Sequence, residues 1–237
     1  MLVLLHGACG SAATMQPLVE AIGTEVESVS LDLLGHGGRP VPEQLSIAAL
    51  ARDIIAQLDE RHIERTFLFG YSAGGCLALY LARHFPDRFI GLSTLASKYV
   101  FDARTISHWT YLSDPARIGR PGSKRPEVLA RLHHPQNWVD VATSCRLMFE
   151  MWGRTPPLGE DDLRSITIPA LLFSSDQDQI VQLAETVALG KFLANSRVVV
   201  FRGQSHPLEI VPLTALGRAL ANWIGDVQAG RFETTAP

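Results

Sequence analysis

Short apolar runs alternate with helical stretches along most of the chain, and this alternation restricts the possible folds more than any other feature. The first run, residues 2–5 (Leu-Val-Leu-Leu), contains no polar residue and ends at His6-Gly7. A strand without polar alternation is typical of a parallel sheet that is buried on both faces. Further strands are predicted at residues 26–31, 66–69, 89–95, 171–174 and 198–201. Strands that alternate with helices predict an α/β fold, a mostly parallel sheet flanked by helices.

The stretches between these runs have helical periodicity. Ser46 is a suitable N-cap, and apolar residues such as Ile47 and Leu50 recur on one face of the stretch that follows it. Helices are predicted at residues 12–22, 46–61, 74–84, 180–194 and 213–225. Gly and Pro content predicts a loop at residues 35–42, and the tail 226–237 is expected to fray.

Residues 97–165 interrupt the alternation. This segment is rich in Trp, Pro and Arg and has no strand-like run. It is therefore predicted to be a helical cap inserted between two strands of the core. The predicted core then consists of residues 1–96 and 166–237.

Composition limits the functional class. The 237 residues fit one domain of catalytic size, and a net charge of −3 argues against a nucleic-acid partner. The cysteines Cys9, Cys76 and Cys145 cannot all pair and form no C-x-x-C motif, which favours a reducing compartment, by default the cytoplasm. No apolar run approaches the ~20 residues of a membrane helix, and no signal peptide is recognisable.

The pentapeptide Gly70-Tyr71-Ser72-Ala73-Gly74 matches G-x-S-x-G and lies between a predicted strand and a predicted helix. A sharp turn from strand to helix exposes a serine hydroxyl, and small flanking residues let the strand and helix approach closely. The N-terminus of the helix adds a positive dipole end beside the hydroxyl. Ser72 is therefore the candidate nucleophile.

A serine nucleophile needs a base, and the base needs an orienting acid. Asp176 and Asp178 both follow the run 171–174, and His206 follows the run 198–201. Since the carboxyl ends of parallel strands meet at one edge of a sheet, these side chains can converge on Ser72. Spacing alone leaves either aspartate as the acid.

Four motifs, taken in chain order, resemble those of the α/β-hydrolase superfamily. They are Leu4-Leu5-His6-Gly7, residues 32–37 (Asp-Leu-Leu-Gly-His-Gly), residues 70–75 and the late pair Asp178 and His206. The resemblance extends to about residue 225, apart from the insertion. It implies the α/β-hydrolase fold and an esterase-like serine hydrolase with a Ser-Asp-His triad.

The resemblance also assigns individual residues. The family's acid typically stands three residues before a valine, which implies Asp178 (before Val181) rather than Asp176. The backbone N–H groups of Ala8 and Ala73 are implied as the donors that hold the oxyanion. No cofactor and no metal are implied.

The chain departs from the family pattern at its start. The family sheet usually has eight strands, whereas Met1 directly precedes the strand that carries His6-Gly7. About six strands are therefore expected, with residues 26–31 at an exposed edge. A late start or truncated sequence, a minimal fold, and a homodimer that covers this edge remain alternative explanations.

Tyr71 and three tryptophans of the insertion, Trp109, Trp138 and Trp152, are candidate residues of a substrate pocket; alternatively, the tryptophans only pack the insertion onto the core. The insertion also contains a basic stretch. Its cations are Arg117, Arg120, Lys124, Arg125 and Arg131. They could recognise an acidic acyl group or form a solvated helix face.

The expected activity is cleavage of a small carboxylic ester or thioester through an acyl-enzyme intermediate. Ser72 would attack, His206 would transfer the proton and Asp178 would orient the imidazole. Some members of the family use the same triad for other reactions. The alternatives are therefore a C–C bond hydrolase, a lyase or synthase resembling that of the menaquinone pathway, and a hydrolase-like binding protein without turnover.

Overall fold

Six parallel strands form one sheet in the computed structural model, which describes residues 1–43 and 45–233. The strands are β1 (Leu2–Leu5), β2 (Ser28–Leu31), β3 (Thr66–Tyr71), β4 (Phe89–Leu95), β5 (Ala170–Ser175) and β6 (Ser196–Phe201). Their order is β2-β1-β3-β4-β5-β6, so that β2 and β6 are the edges. The predicted α/β fold with a six-stranded parallel sheet is confirmed.

Ten α-helices accompany the sheet in the described residues. They are α1 (Ala12–Ile22), α2 (Ile47–Glu60), α3 (Ala73–His84), α4 (Ala103–Leu112), α5 (Pro115–Ile118), α6 (Arg125–His133), α7 (Trp138–Arg154), α8 (Glu160–Arg164), α9 (Leu183–Phe192) and α10 (Leu213–Gln228). Residues 97–165 are described throughout and contain α4 to α8 and no strand. This segment is called the helical insertion below.

The sheet is buried on both faces because successive side chains of each strand enter different cores. Leu2 and Leu4 pack in the core that contains α1 and α10, while Val3 and Leu5 pack in the core that contains α2 and α3. All four side chains are fully buried. Burial on both faces explains why the first strand has no polar residue.

The observed bounds differ from the predicted ones at several ends. Strand β2 begins at Ser28 rather than residue 26, and β5 and β6 extend beyond their predicted cores. Helix α9 begins at Leu183 rather than residue 180, because the Asp178 carboxylate accepts N–H bonds from the preceding turn.

The predicted fraying of the tail is wrong at its beginning. Helix α10 continues to Gln228, and the guanidinium of Arg197 on β6 lies 4.7 Å from the centre of the Phe232 ring. The rest of that prediction, residues 234–237, lies outside the described residues.

Among the described residues, no helix combines the length and the apolar composition that crossing a bilayer requires.

Candidate active site

The turn from β3 to α3 holds Ser72 in an unusual backbone conformation, with φ +52° and ψ −118°. Neighbouring glycines make this turn possible. A Cβ added to Gly70 would lie 2.4 Å from the Gly74 carbonyl oxygen, and one added to Gly74 would lie 2.5 Å from the His6 carbonyl oxygen. Helix α3 therefore lies closer to β3 at Gly70, and closer to the end of β1 at Gly74, than any side chain at these two positions allows.

Three loops at the carboxyl ends of β3, β5 and β6 bring Ser72, Asp178 and His206 together. The Ser72 hydroxyl lies 3.1 Å from Nε2 of His206, and Nδ1 of the same ring lies 2.7 Å from Oδ2 of Asp178. With a proton on Nδ1, the imidazole donates to the carboxylate, and Nε2 is free to accept the hydroxyl proton. This arrangement supports proton transfer from a serine nucleophile.

The structure places only one of the two candidate aspartates beside His206. The Asp178 side chain is fully buried, and its Oδ1 accepts N–H bonds of 2.7 and 2.8 Å from Ile180 and Val181. Asp176 instead accepts an N–H bond of 2.7 Å from Gly203 and ties the loops after β5 and β6 together. The two backbone bonds to Oδ1 hold the carboxylate in place, so that Oδ2 points at the imidazole.

Tyr71 links the end of β3 to the loop that carries His206. Its hydroxyl donates to the His206 carbonyl at 2.9 Å, and the two rings lie 5.5 Å apart. Burial is the main cause that raises the pKa of the Tyr71 phenol above its ordinary value. The neutral hydroxyl thus remains a hydrogen-bond donor.

The backbone N–H groups expected to hold an oxyanion belong to Ala73, directly after Ser72, and to Ala8, in the loop after β1. Ala73 is the first residue of α3, so its N–H has no acceptor within the helix. Ala8 follows β1 and lines the cavity beside Ser72.

His6 fixes the loop that contains Ala8. Nδ1 of His6 donates to the Gly7 carbonyl at 2.8 Å, while Nε2 accepts from the Leu33 N–H at 3.2 Å. Burial lowers the pKa of this imidazole to about 4, which keeps the ring neutral and able to accept. Its environment fits a role in supporting this loop.

A cavity of about 400 Å³ opens beside Ser72 and His206. This volume is within the usual range for small-molecule sites, roughly 300–1,000 Å³. Its lining includes Gly7, Ala8, Cys9, Tyr71, Trp109, Leu112, Arg117, Arg125, Val128, Leu129, Leu132, Phe149, Ile180, Leu208 and Glu209. The helical insertion therefore supplies much of the wall opposite the serine.

Of the three candidate tryptophans, Trp109 lines this cavity, Trp152 lines a much smaller cavity of about 10 Å³ that also touches Ala8 and Ala73, and Trp138 lines neither. Trp152 is 1% exposed and packs against Phe101 and Phe149, with ring centres 5.3 and 5.8 Å away. Trp138 is half-buried, and its ring faces Gly119 between α5 and α6. Trp138 therefore packs within the insertion, whereas Trp152 packs there and also faces the small cavity at Ala8 and Ala73.

A set of buried and partly buried polar contacts, which the sequence did not indicate, joins the helical insertion to the core. Nε2 of His36 lies 3.2 Å from Sγ of Cys145 on α7. His133 accepts from the Gly37 N–H at 3.0 Å, and Gln136 accepts from the Gly38 N–H at 3.1 Å. The motif at residues 32–37 and the glycine after it contain no pattern that predicts contacts with residues about a hundred positions later in the chain.

The fold is shared with solved enzymes. The crystal structure of the enol-lactonase from Burkholderia xenovorans superimposes with a TM-score of 0.77 at 19% identity, covering 94% of this chain and 90% of that one. At this identity, the similarity concerns the fold alone.

Curated relatives extend the comparison to sequence. The 3-oxoadipate enol-lactonase 1 of Acinetobacter baylyi is 33% identical over 197 residues, 75% of this chain and 70% of that protein. The thermostable monoacylglycerol lipase of a Bacillus species is 27% identical over 215 residues, 86% of this chain and 81% of that protein.

Two other relatives match over shorter parts. The alignment covers 20% of the biotin biosynthesis bifunctional protein BioHC of Cellvibrio japonicus (35% identity), and 46% of the 2-succinyl-6-hydroxy-2,4-cyclohexadiene-1-carboxylate synthase of Pectobacterium atrosepticum (30% identity). A family profile described as the alpha/beta hydrolase family matches residues 2–219. The chain therefore belongs to the α/β hydrolase family.

Proposed function

We propose that the chain is a serine hydrolase that cleaves a carboxylic ester or thioester of a small substrate. One observation carries this proposal: Ser72, His206 and Asp178 form a continuous hydrogen-bonded series of 3.1 and 2.7 Å beside a cavity of about 400 Å³. Membership of the α/β hydrolase family supports hydrolase chemistry. That the substrate is a carboxylic ester or thioester is our proposal.

In the first step, the Ser72 hydroxyl attacks the carbonyl carbon and His206 Nε2 takes its proton. The resulting imidazolium is stabilised by the Asp178 carboxylate, which also fixes the ring tautomer. The N–H groups of Ala8 and Ala73 donate to the developing oxyanion. Each such donor is worth about 3 kcal/mol of barrier in enzymes of this kind.

In the second step, His206 gives the proton to the leaving alcohol or thiol, and the acyl group remains on Ser72. A water molecule, deprotonated by the same imidazole, then attacks the acyl carbon. The acid product leaves and the serine regains its proton. Tyr71 and Trp109 form part of the wall beside the reacting groups.

The first experiment is labelling with a fluorophosphonate probe, followed by assays with p-nitrophenyl esters of increasing acyl length. Labelling and turnover in the parent protein, both absent in Ser72→Ala, are the expected results. The matched control is Ser97→Ala, a buried serine on the loop after β4 whose hydroxyl bonds only to a carbonyl. Unlabelled but folded parent protein would contradict the proposal.

A second candidate uses the same triad on a C–C bond or in a lyase or synthase reaction. The similarity to a 2-succinyl-6-hydroxy-2,4-cyclohexadiene-1-carboxylate synthase favours it. Labelling of Ser72 without turnover of any simple ester would support this candidate. Ligand binding without labelling would instead support the third one, a hydrolase-like binding protein.

Three further expectations remain predictions. The helical insertion acts as a cap over the core, the protein works in the cytoplasm, and a homodimer is one of three explanations for the exposed edge strand β2, beside a late or truncated start and a minimal fold. The position of β2 at the edge of the sheet supports the homodimer, because an unpaired edge can add a strand from another chain. Light scattering of the purified chain tests it directly.

A further inference from the structure

Two guanidinium groups of the helical insertion line the cavity without a carboxylate partner. Arg117 lies near the end of α5 and Arg125 begins α6. Within the described residues, neither forms a salt bridge, although seven other cations of the chain do. Unpaired cations at the wall of an active-site cavity are suited to an anionic group of a ligand.

Arg117 is partly removed from water. Its Nε is buried and has no hydrogen-bond partner among the described residues. The guanidinium lies 4.7 Å from the centre of the Tyr111 ring, a contact that positions the group without neutralising its charge. Its positive charge therefore lies at the cavity wall without a carboxylate partner among the described residues, where an anionic ligand would gain a charge-assisted contact.

Arg125 faces the same space from the next helix. Arg125 is exposed to solvent and lines the same cavity as Tyr71 and Cys9. Glu209 is the one carboxylate among the lining residues, and it is exposed. Two cations and one anion leave the cavity wall with a net positive charge.

The wall around these charges is largely apolar. Leu112, Val128, Leu129 and Leu132 come from the same part of the helical insertion as the two arginines. An aliphatic spacer would pack against these side chains. The cavity wall can therefore contact both an aliphatic chain, through the apolar side chains, and an anionic group at the end of that chain, through the two arginines.

We infer that the substrate is an ester of a dicarboxylic acid that keeps one free carboxylate, held by Arg117 and Arg125 while the ester carbonyl lies at Ser72. This inference rests on the proposed function and adds the chemical class of the acyl group. Charge-assisted bonds from two guanidinium groups select such a monoester over a neutral ester of equal length.

The rest of the basic stretch provides matched controls. Arg120, Lys124 and Arg131 are exposed and do not line the cavity. Arg131 lies on α6, the helix that also carries Arg125. Arg131→Gln therefore removes the same charge from the same helix at a position away from the cavity.

The test compares monomethyl esters of dicarboxylic acids, from succinate to pimelate, with neutral methyl esters of equal chain length. The measured quantity is the ratio of kcat/KM for the charged ester to kcat/KM for the neutral one. The parent protein should favour the charged ester at one or two chain lengths. Arg117→Gln and Arg125→Gln should each lower this ratio by roughly tenfold, and Arg131→Gln should leave it unchanged.

Calorimetric binding to Ser72→Ala keeps the inference separate from the catalytic proposal. Tighter binding of the monomethyl ester than of the neutral ester, lost in Ser72→Ala/Arg117→Gln, supports the inference even without turnover in the parent. Equal binding of the two esters overturns it, even if both are hydrolysed by the parent. Probe labelling of the parent decides the proposed function independently.

Discussion

The two sides of the active-site cavity are built differently. On the sheet side, Ser72, Asp178 and His206 are each held by hydrogen bonds of 2.7 to 3.1 Å to one another or to the backbone. On the helical side, Arg117 and Arg125 have no salt bridge in the part of the chain that the structure describes. The three side chains of the proposed triad are thus each fixed by hydrogen bonds, whereas the two arginines inferred to bind the substrate have no carboxylate partner in the described residues.

This difference assigns separate consequences to substitutions on the two sides. Changes on the sheet side should lower kcat or unfold the chain, because the reacting groups depend on exact backbone approach. Changes on the helical side should alter KM and substrate preference. Substitutions on each side therefore test this division, and the largest effects are expected on the sheet side.

Replacing Asp178 by Asn should lower kcat by a factor on the order of 10⁴, because the amide no longer fixes the tautomer or stabilises the imidazolium. The matched control is Asp176→Asn, two residues away, whose carboxylate bonds to the Gly203 N–H and does not touch His206. Steady-state ester hydrolysis measures both variants. Similar losses in the two variants would refute the assignment of Asp178.

Replacing Gly74 by Ala should destabilise the fold by about 3 kcal/mol, because the new Cβ would lie 2.5 and 2.6 Å from the carbonyl oxygens of His6 and Leu5. Gly225→Ala on α10 is the control. Its Cβ meets no described atom within 4 Å, and Ala is the better helix former by about 1 kcal/mol. Chemical denaturation should therefore move in opposite directions for the two variants.

The buried histidines should make the chain sensitive to acid. Burial lowers the pKa of His6 to about 4 and that of His36 to about 3, both from 6.5. As pH falls below 6.5, the unfolded chain binds protons that the folded chain does not bind, so the free energy of unfolding decreases. The loss is about 1.4 kcal/mol per pH unit for each histidine.

Urea denaturation between pH 6 and pH 4.5 measures this slope. His36→Gln should reduce the pH dependence of the free energy of unfolding by the contribution of one histidine, about 1.4 kcal/mol per pH unit. This difference in slope does not depend on the absolute stability of the variant. The control is His108→Gln, which changes an exposed histidine of α4. An unchanged slope in His36→Gln would mean that this ring is not a source of the acid sensitivity.

The smallest effect concerns the helical side. Trp109→Phe should change KM for long esters severalfold, because Trp109 lines the cavity. Trp152→Phe should leave KM unchanged and lower stability by about 1–3 kcal/mol, since it removes volume from a buried aromatic cluster. A change of KM in Trp152→Phe alone would break the division between the two sides.

The same division separates what the sequence could predict from what it could not. The order of strands and helices follows from local periodicity, and the positions of Ser72, Asp178 and His206 follow from the rule that strand ends meet at one edge. These features need only residues that are near one another in the chain or at equivalent strand ends.

The helical side depends on long-range packing instead. Four buried residues of α7, Cys145, Met148, Phe149 and Trp152, form one helical stripe. Phe149 lines the large cavity beside Ser72, whereas the other three line the small cavity at Ala8 and Ala73. Periodicity identifies such a stripe without saying which residues face a cavity. For the same reason, the five cations of the basic stretch could not be divided into two that face the cavity and three that do not.

The bond from Tyr71 to the His206 carbonyl has a mechanical consequence. The hydrogen bond ties the loop that carries His206 to Tyr71, the residue directly before Ser72. The two side chains that exchange the proton are therefore held by the same contact. None of the helices of the insertion takes part in that fastening. Opening of the helical side to admit a substrate would then leave the distance for proton transfer unaltered, which uncouples the entry of the substrate from the alignment of the reacting atoms.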